Sequence, residues 1–488
     1  MRKIRINKGN LENLAMLILL ILVYSYAISR YGSSVTPDST AYVEGGISMW
    51  KEGKFVIMHE EPYYYFPPLY PILIGLIYGI TTIPADIVAE LLNFSAIAIT
   101  LLLFLNRFAS SSIERFCMGI GFVFFYPIFL VTTSIFAEPL FILLVFLFLL
   151  FVERYTKELT LYYLLLLSVL ASLAMLQRYV GLVLIPFTGF IILIYNNRNW
   201  KKIMLHSIIV GFSCLPLSIW MLRNHLLVGT LTGSRISSAI SLIEHLDQDI
   251  ILPLSYLLIP IINFPFRSAF AIIGIFILFI IPAFRKNIIH HLVYYLFALF
   301  YILSIWILIK YLTFLAVPAR IFAPIAPFLL LLVRDSLVSV WSISTNKIHK
   351  SVVFLTLFLW LGLQVRIVGQ HVEAAHQYGA GGERVKHIKE NELGKWLSQH
   401  AKKLGGTWRS NNPTFLYWLM PREMRNDLYY TGSAQTMIER YKQNPTGYLV
   451  LSNDDSLIYR QIVESQIQLD SCFESIEGGI YRTKLKSK

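Results

Sequence analysis

Eleven apolar runs dominate the chain, at about residues 14–29, 85–106, 116–135, 139–152, 160–176, 179–195, 203–221, 268–284, 289–309, 321–334 and 351–368. At about 1.5 Å of rise per residue most of them approach the ~30 Å of a bilayer's hydrocarbon core. Lipid offers the backbone no hydrogen-bond partner, so spanning segments of this kind must satisfy their own amides as helices. The fold class expected is therefore an α-helical polytopic membrane protein of about eleven crossings. A composition of 56% hydrophobic and 15% charged residues excludes a soluble enzyme. Two further apolar stretches, 68–83 and 251–264, are short and rich in proline and aromatics. They are expected to lie at the interface as juxtamembrane helices.

Charge fixes the expected sidedness. Lys and Arg number 42 against 29 Asp and Glu, a net charge of +13. In a membrane protein such an excess belongs on cytosolic loops facing anionic lipid, and nucleic acid is not implied. If 68–83 does not cross, then Arg107, Arg115, Arg154, Lys157, Arg198, Lys201, Lys202, Arg285, Lys286, Lys347 and Lys350 all fall on the side of the N-terminus. If it crosses, every later cluster up to residue 250 flips outside. The first arrangement obeys the positive-inside rule. The basic start, Arg2, Lys3, Arg5 and Lys8, then precedes a retained first helix that enters from the cytosol. The expected location is a bacterial or archaeal plasma membrane, N-terminus cytoplasmic. The outer side receives residues 30–84, Glu138, Arg178, residues 222–267, residues 310–320 and everything after about 369.

Hydropathy drops after Val368. The expected division is a membrane domain over 1–368 and an extracytoplasmic α/β domain over 369–488. Residues 384–400 read as helical, 447–452 and 479–483 as strands, and the glycine-rich 378–382 as a hinge. Cys117, Cys214 and Cys472 are odd in number and far apart, so neither a disulfide framework nor a thiolate metal site is supported.

The outer loops hold the candidates for chemistry. In the first, Asp38 follows Pro37, and from Ser39 onward Val43, Ile47 and Trp50 fall at helical spacing beside Tyr42 and Met49, a stripe suited to an interfacial helix. Asp38 either caps that helix or supplies a carboxylate to a reaction. Glu138, ahead of Pro139, either complements a helix N-terminus or acts as a second acid on the same side. Arg178, Arg320 and Arg223 end apolar runs at the outer surface. Each either snorkels or holds a phosphate by paired hydrogen bonds. Trp220 stands three residues before Arg223. His59-Glu60-Glu61 lacks the second histidine of a zincin helix, and adjacent His290 and His291 point in different directions, so neither reads as a metal motif.

The order of these motifs is informative. Pro37-Asp38-Ser39 with Tyr42, Gly53-Lys54-Phe55, Phe66-Pro67-Pro68-Leu69-Tyr70, Ala137-Glu138-Pro139, Gln177-Arg178-Tyr179-Val180-Gly181-Leu182, Trp220 with Arg223-Asn224 and Gly229, and Arg320 with Pro324 and Pro327 follow a first span. Over about residues 10–370 this resembles the GT-C glycosyltransferases, family 39 above all, with the protein O-mannosyltransferases and lipid A aminoarabinose transferases. The resemblance implies an inverting transferase that takes a sugar from a polyprenyl phosphate. Asp38 matches the acid of the first outer loop and Glu138, more loosely, that of the second. Many members carry a second acid directly after the first, where this chain has Ser39.

On that resemblance Asp38 is expected as general base, Glu138 as a further acid, and Arg178, Arg320, Arg223 and Tyr42 as substrate-binding residues, with Arg320 ranked first for the phosphate by family position. The expected partners are a polyprenyl-phosphate sugar, an acceptor hydroxyl on a glycan, lipid or protein, and membrane lipids. The lipid-linked sugar is the donor substrate; no resident cofactor is implied, and a divalent metal is left open. A transporter or flippase for a lipid-linked substrate is the competing class. It would call for acids deep within spans and helices broken at mid-membrane in two related halves, which the sequence lacks.

Overall fold

The structure, a computed structural model, describes residues 8–483 apart from 58–60, 197–198, 234–239, 259–290, 311–318, 344–345, 383, 387–389, 391, 405–406, 411–412, 421–427, 430–446, 451–472 and 478–479. Ten of the eleven apolar runs fall on described helices. The run 268–284, residues 259–264 of the second interfacial stretch, Arg198, Arg285, Lys286, His59, Glu60, His290 and Cys472 lie outside the described residues.

Six helices among the described residues are long and apolar enough to cross a membrane: Gly9–Ile28, Ala85–Phe108, Glu138–Glu158, Leu292–Ile309, Ala319–Ser342 and Lys347–Tyr378. Two bent pairs bring the total to as many as eight. Ser112–Val123 turns by 57° into Tyr126–Thr132, and Trp200–Phe212 by 43° into Leu215–Val228. Proline opens the second half of each pair, Pro127 and Pro216. A proline cannot donate to the preceding turn and clashes with it, which forces the break. Leu161–Gln177 and Tyr179–Tyr195 are apolar but shorter.

In chain order the first eight described helices are α1 (Lys8–Ile28), α2 (Pro37–Glu52), α3 (Leu69–Thr81), α4 (Ala85–Phe108), α5 (Ser112–Val123), α6 (Tyr126–Thr132), α7 (Glu138–Glu158) and α8 (Leu161–Gln177). The chain divides into two compact units. One comprises residues 1–27, 64–69 and 90–373; the other comprises 28–63, 70–89 and 374–488.

The first unit is the helical bundle. Its core is aromatic: Phe104, Phe122, Phe146, Phe297 and Phe328 are buried, and the Phe146 and Phe328 rings stack at 6.0 Å. Helix α7 is buried along most of its length. At 21 residues it spans about 31 Å and therefore has two distinct ends. At one end Glu153 accepts from Arg107 at 2.5 and 3.1 Å, from Lys157 at 2.7 Å and from Tyr294 at 2.9 Å. The same end gathers Arg115 on Glu12 at 3.2 Å and Arg334 on Glu114 at 3.1 Å. His291 meets Asp335 at 2.5 Å there and is committed to that carboxylate. Arg107, Arg115 and Lys157, expected on one side from charge alone, thus share one end of the bundle.

The second unit contains a mixed sheet in the order β4-β3-β5-β7-β6, with β3 Thr407–Ser410, β4 Leu428–Tyr429, β5 Gly447–Val450, β6 Phe473–Glu477 and β7 Ile480–Thr483. β3 runs parallel to β4 and β5, while β7 is antiparallel to β5 and β6. A two-stranded ribbon, β1 Val56–Ile57 with β2 Glu61–Pro62, follows α2. The strands expected at 447–452 and 479–483 are seen in their described parts. The glycine-rich 378–382 stretch is a packed turn. Gly379, Gly381 and Gly382 all take positive φ, Val35 bridges to Gly382, and a Cβ on Gly382 would fall 1.7 Å from the Val35 carbonyl oxygen.

Helix α2 differs from the expected one-sided interfacial helix. Its centre is buried all round, from Ser39 through Gly46, because two glycines let it touch α3 backbone to backbone. A Cβ on Gly75 would sit 2.3 Å from the Gly46 carbonyl oxygen, and one on Gly79 would meet the Trp50 indole. Tyr42 packs edge-on against buried Tyr70 at 5.2 Å. At 13 residues α3 reaches about 20 Å, less than a hydrocarbon core, as expected for a helix that does not span. The cap of α2 is also corrected. Thr36 takes that position, and the Ser39 hydroxyl accepts from the Thr36 amide at 3.0 Å, so Asp38 stands inside the first turn and is not the cap. Forcing a side chain between α2 and α3 is expected to be costly: Gly75→Ala should lower stability by about 1–3 kcal/mol, read as an earlier thermal transition in detergent.

Candidate functional site

The loop that joins α6 to α7 is buried from Thr132 to Pro139, so its carbonyls need internal partners. Asn93 donates to the Ser134 carbonyl and Gln177 to the Ala137 carbonyl, each at 2.9 Å. Glu138 then opens α7 with Pro139 at its first turn, where a fixed φ suits the start of a helix. A carboxylate at that position is favoured by the free amides of the helix end. Glu138 itself is only 1% exposed.

Two arginines reach it from remote parts of the chain. Helix α8 stops at Gln177, and the extended Arg178 leads into a 3-10 turn, Tyr179–Val183. Close approach of Gly181 to the backbone of Ala174 and Met175 folds that turn against the end of α8. Arg178 Nη1 lies 2.6 Å from Glu138 Oε1. A second 3-10 segment, Ala319–Ile325, carries Arg320, whose Nε lies 3.8 Å from the same oxygen. The Arg320 guanidinium stacks over Phe136 at 4.4 Å. Buried Tyr301 donates to the Ile321 carbonyl at 2.9 Å and so ties the second segment to the helix Leu292–Ile309. The arginines are neither snorkelling nor scattered: one buried carboxylate gathers both, and the trio carries a net positive charge. Arg178 and Arg320 remain 25% and 24% exposed.

Arg223 belongs to an adjoining network. It donates to the Asn224 side chain at 2.9 Å and lies over the Trp220 ring at 4.5 Å. Asn224 is fully buried and donates to the carbonyls of Tyr64 at 3.2 Å and Leu231 at 3.1 Å. The Tyr179 hydroxyl donates to the same Tyr64 carbonyl at 3.3 Å. One carbonyl therefore links the turn that bears Arg178 to the helix that bears Arg223. The Tyr64 and Tyr65 rings lie 4.1 Å apart, tilted by 30°, beside Gly233, whose positive φ and near contact with Tyr65 leave no room for a side chain.

Of the sequence candidates, Glu138, Arg178, Arg320 and Arg223 are brought together at one end of the bundle. Asp38 and Tyr42 lie on α2 in the second unit. Asp38 is partly exposed, whereas Tyr42 is 4% exposed and packed on Tyr70. Of the residues that fix the geometry, Asn93 was not marked in the sequence at all, and Gln177, Tyr179 and Asn224 stood in the motifs only as neighbours of candidate arginines, with no role of their own. Gln177 and Asn224 each adjoin a candidate arginine in the sequence, a spacing that marks them in retrospect. Buried Glu44 on α2 was likewise not singled out. Among the described residues no group of three His, Cys, Asp or Glu side chains is placed to hold a metal ion.

No protein-family model matches the chain, and no curated protein matches it by sequence. Solved structures do. ArnT from Cupriavidus metallidurans in its apo state superposes with a TM-score of 0.59 over 96% of this chain and 97% of that one, at 12% identity. The same protein bound to undecaprenyl phosphate gives 0.59 over the same shares at 13% identity. The chain has the ArnT fold. The order of the sequence motifs implied the fold of the lipid A aminoarabinose transferases, and ArnT, which is one of these, has the fold seen here.

Proposed function

We propose that this chain is an inverting glycosyltransferase that moves a sugar from a polyprenyl-phosphate donor to an acceptor hydroxyl at the extracytoplasmic face of the membrane. The observation that carries the reading is the pair of guanidinium groups held on buried Glu138 in a chain of the ArnT fold. ArnT itself has been solved with undecaprenyl phosphate bound, which supports a lipid phosphate as the ligand of such a fold.

The roles follow from the chemistry of each group. The acceptor oxygen attacks the anomeric carbon while its proton passes to the Asp38 carboxylate, a general-base contribution of about 10²–10⁴ in rate. A carbon–oxygen bond forms to the acceptor, and the bond from the anomeric carbon to the phosphate oxygen breaks. The departing polyprenyl phosphate gains negative charge, which Arg178 and Arg320 stabilise by hydrogen bonds fixed before the reaction, with Arg223 beside them. Glu138, expected from sequence as a second acid, is in this reading the group that orients both arginines and neutralises part of their repulsion. A donor already dissolved in the membrane fits a face of the bilayer to which nucleotide sugars are not supplied.

Purified protein should release undecaprenyl phosphate from one of a panel of undecaprenyl-phosphate-linked sugars when a suitable acceptor is present, assayed with and without chelator. Lack of turnover across the panel, with folded protein, would reject the reading. Sidedness has its own check. A single cysteine introduced at the exposed Lys54 should react with an impermeant maleimide from outside intact cells, and one at Lys157 only after permeabilisation; the reverse pattern would place the arginines on the wrong leaflet.

A further inference from the structure

Within the second unit, the first turn of α2 is held by side chains that come from far along the sequence. Trp418, on the short helix Pro413–Leu419, donates its indole N–H to the Thr40 hydroxyl at 2.8 Å. That hydroxyl donates in turn to the carbonyl of Thr36, the cap of α2, at 3.4 Å. Thr40 is fully buried and Trp418 is 4% exposed, so water does not compete for the bond. Arg384 lies over the Trp418 ring at 4.7 Å and makes a 2.6 Å ion pair with Asp86, and both partners of that pair are buried. The same arginine fills the space beside Gly32, where a Cβ would meet its Nη1 at 2.8 Å. Arg384 beside Gly32 and the Gly382 bridge to Val35 therefore hold the segment that leads into α2, while Trp418 holds its first turn.

Asp38 stands in that turn, between Thr36 and Thr40. A helix end is ordinarily the part that frays, and this one is tied to Trp418, 378 positions away, by a buried hydrogen bond, while the Trp418 ring is backed by Arg384 in its buried ion pair with Asp86. We propose that Trp418 and Arg384 are positioning residues for Asp38: the C-terminal part of the chain holds the first turn of α2 so that the carboxylate keeps one orientation. This proposal rests on the role given to Asp38 above. Reaction rates are sensitive to misplacement of a reacting group by about 1 Å, so loosening the turn lowers the rate without touching the carboxylate.

Two substitutions each remove one side of the same bond. Trp418→Phe keeps an aromatic ring for Arg384 but lacks the N–H, and Thr40→Val keeps the shape but lacks the acceptor. The first measurement, hydrogen exchange of the amides of residues 38–42 in the full chain, needs no substrate. Each variant should exchange about 10-fold faster there, with the amides of α7 unchanged, and Thr40→Ser should exchange as the unaltered chain does. In the transfer assay each variant should lower kcat about 10-fold with KM for the lipid-linked sugar within twofold. The double variant should be no worse than Thr40→Val alone, because that substitution already removes the bond to Trp418 along with the weaker one to Thr36. Unchanged exchange, an unchanged kcat, a raised KM with kcat intact, or additive losses would each overturn the proposal. If Trp418→Phe does not fold, Thr40→Val decides the matter alone, since it leaves the C-terminal part untouched. Faster exchange in a protein that transfers no sugar, or full transfer by Asp38→Asn, would instead count against the glycosyltransferase reading and its base.

Discussion

Asp38→Asn is expected to lower kcat for sugar transfer by about 10²–10⁴ while leaving donor KM within about twofold. The carboxamide keeps the size and most of the hydrogen bonding of the carboxylate but cannot take up the acceptor's proton. Stability should change little, because Thr36 and Ser39 form the cap and a carboxylate at a helix end is worth about 0.3–1 kcal/mol. The fold therefore offers an internal control. Initial rates over a series of donor concentrations, with the thermal transition measured on the same preparation, separate the two effects. An Asp38→Asn variant with undiminished kcat would remove this residue from the chemistry.

Arg178→Met should produce the largest change in stability. It leaves the fully buried Glu138 carboxylate with Arg320 at 3.8 Å as its remaining ion-pair partner among the contacts described. Removing one side of a buried ion pair costs about 3–5 kcal/mol, with the lower end expected here because Arg178 is 25% exposed. Affinity for undecaprenyl phosphate should fall with it, since the phosphate loses a charge-assisted donor. The double variant Arg178→Met, Glu138→Leu distinguishes the two consequences: an apolar pair of similar volume restores the thermal transition, while lipid binding and transfer stay low. Recovery of transfer in the double variant would show that the arginine acts only as a partner for Glu138. Arg178→Lys should also fall short of full activity, because an ammonium cannot reproduce the planar, two-pronged donor geometry of a guanidinium.

Much of the site was legible as a set of residues and little of it as an arrangement. Glu138, Arg178, Arg223 and Arg320 were each marked by their place at the end of an apolar run. Nothing in the spacing said that one carboxylate would hold two of the arginines. Their separation along the chain, 40 residues for Arg178 and 182 for Arg320 by position, exceeds any local rule such as the i, i+4 pairing of a helix. The cap of α2 shows a different limit. Thr36, Asp38 and Ser39 all have side chains able to accept from a helix's first amides, and composition does not choose among them. The amphipathic stripe of α2 misled for a related reason: it weighs large apolar residues, whereas Gly46 and Gly75 create the closest contact by having no side chain at all.

The sequence by itself determined the membrane class, the approximate position of the helices and which charged groups share an end of the bundle. Those are properties of windows of neighbouring residues, because in lipid each spanning segment must close its own hydrogen bonds and charges resist burial in hydrocarbon. Tertiary structure alone decided that residues 28–63 and 70–89 associate with the C-terminal part, that Trp418 bonds to the first turn of α2 with Arg384 packed on its ring, and that Glu138 serves two arginines. These depend on side chains meeting across hundreds of residues. Their energies come from burial and pairing in a packed interior, which no single segment possesses on its own.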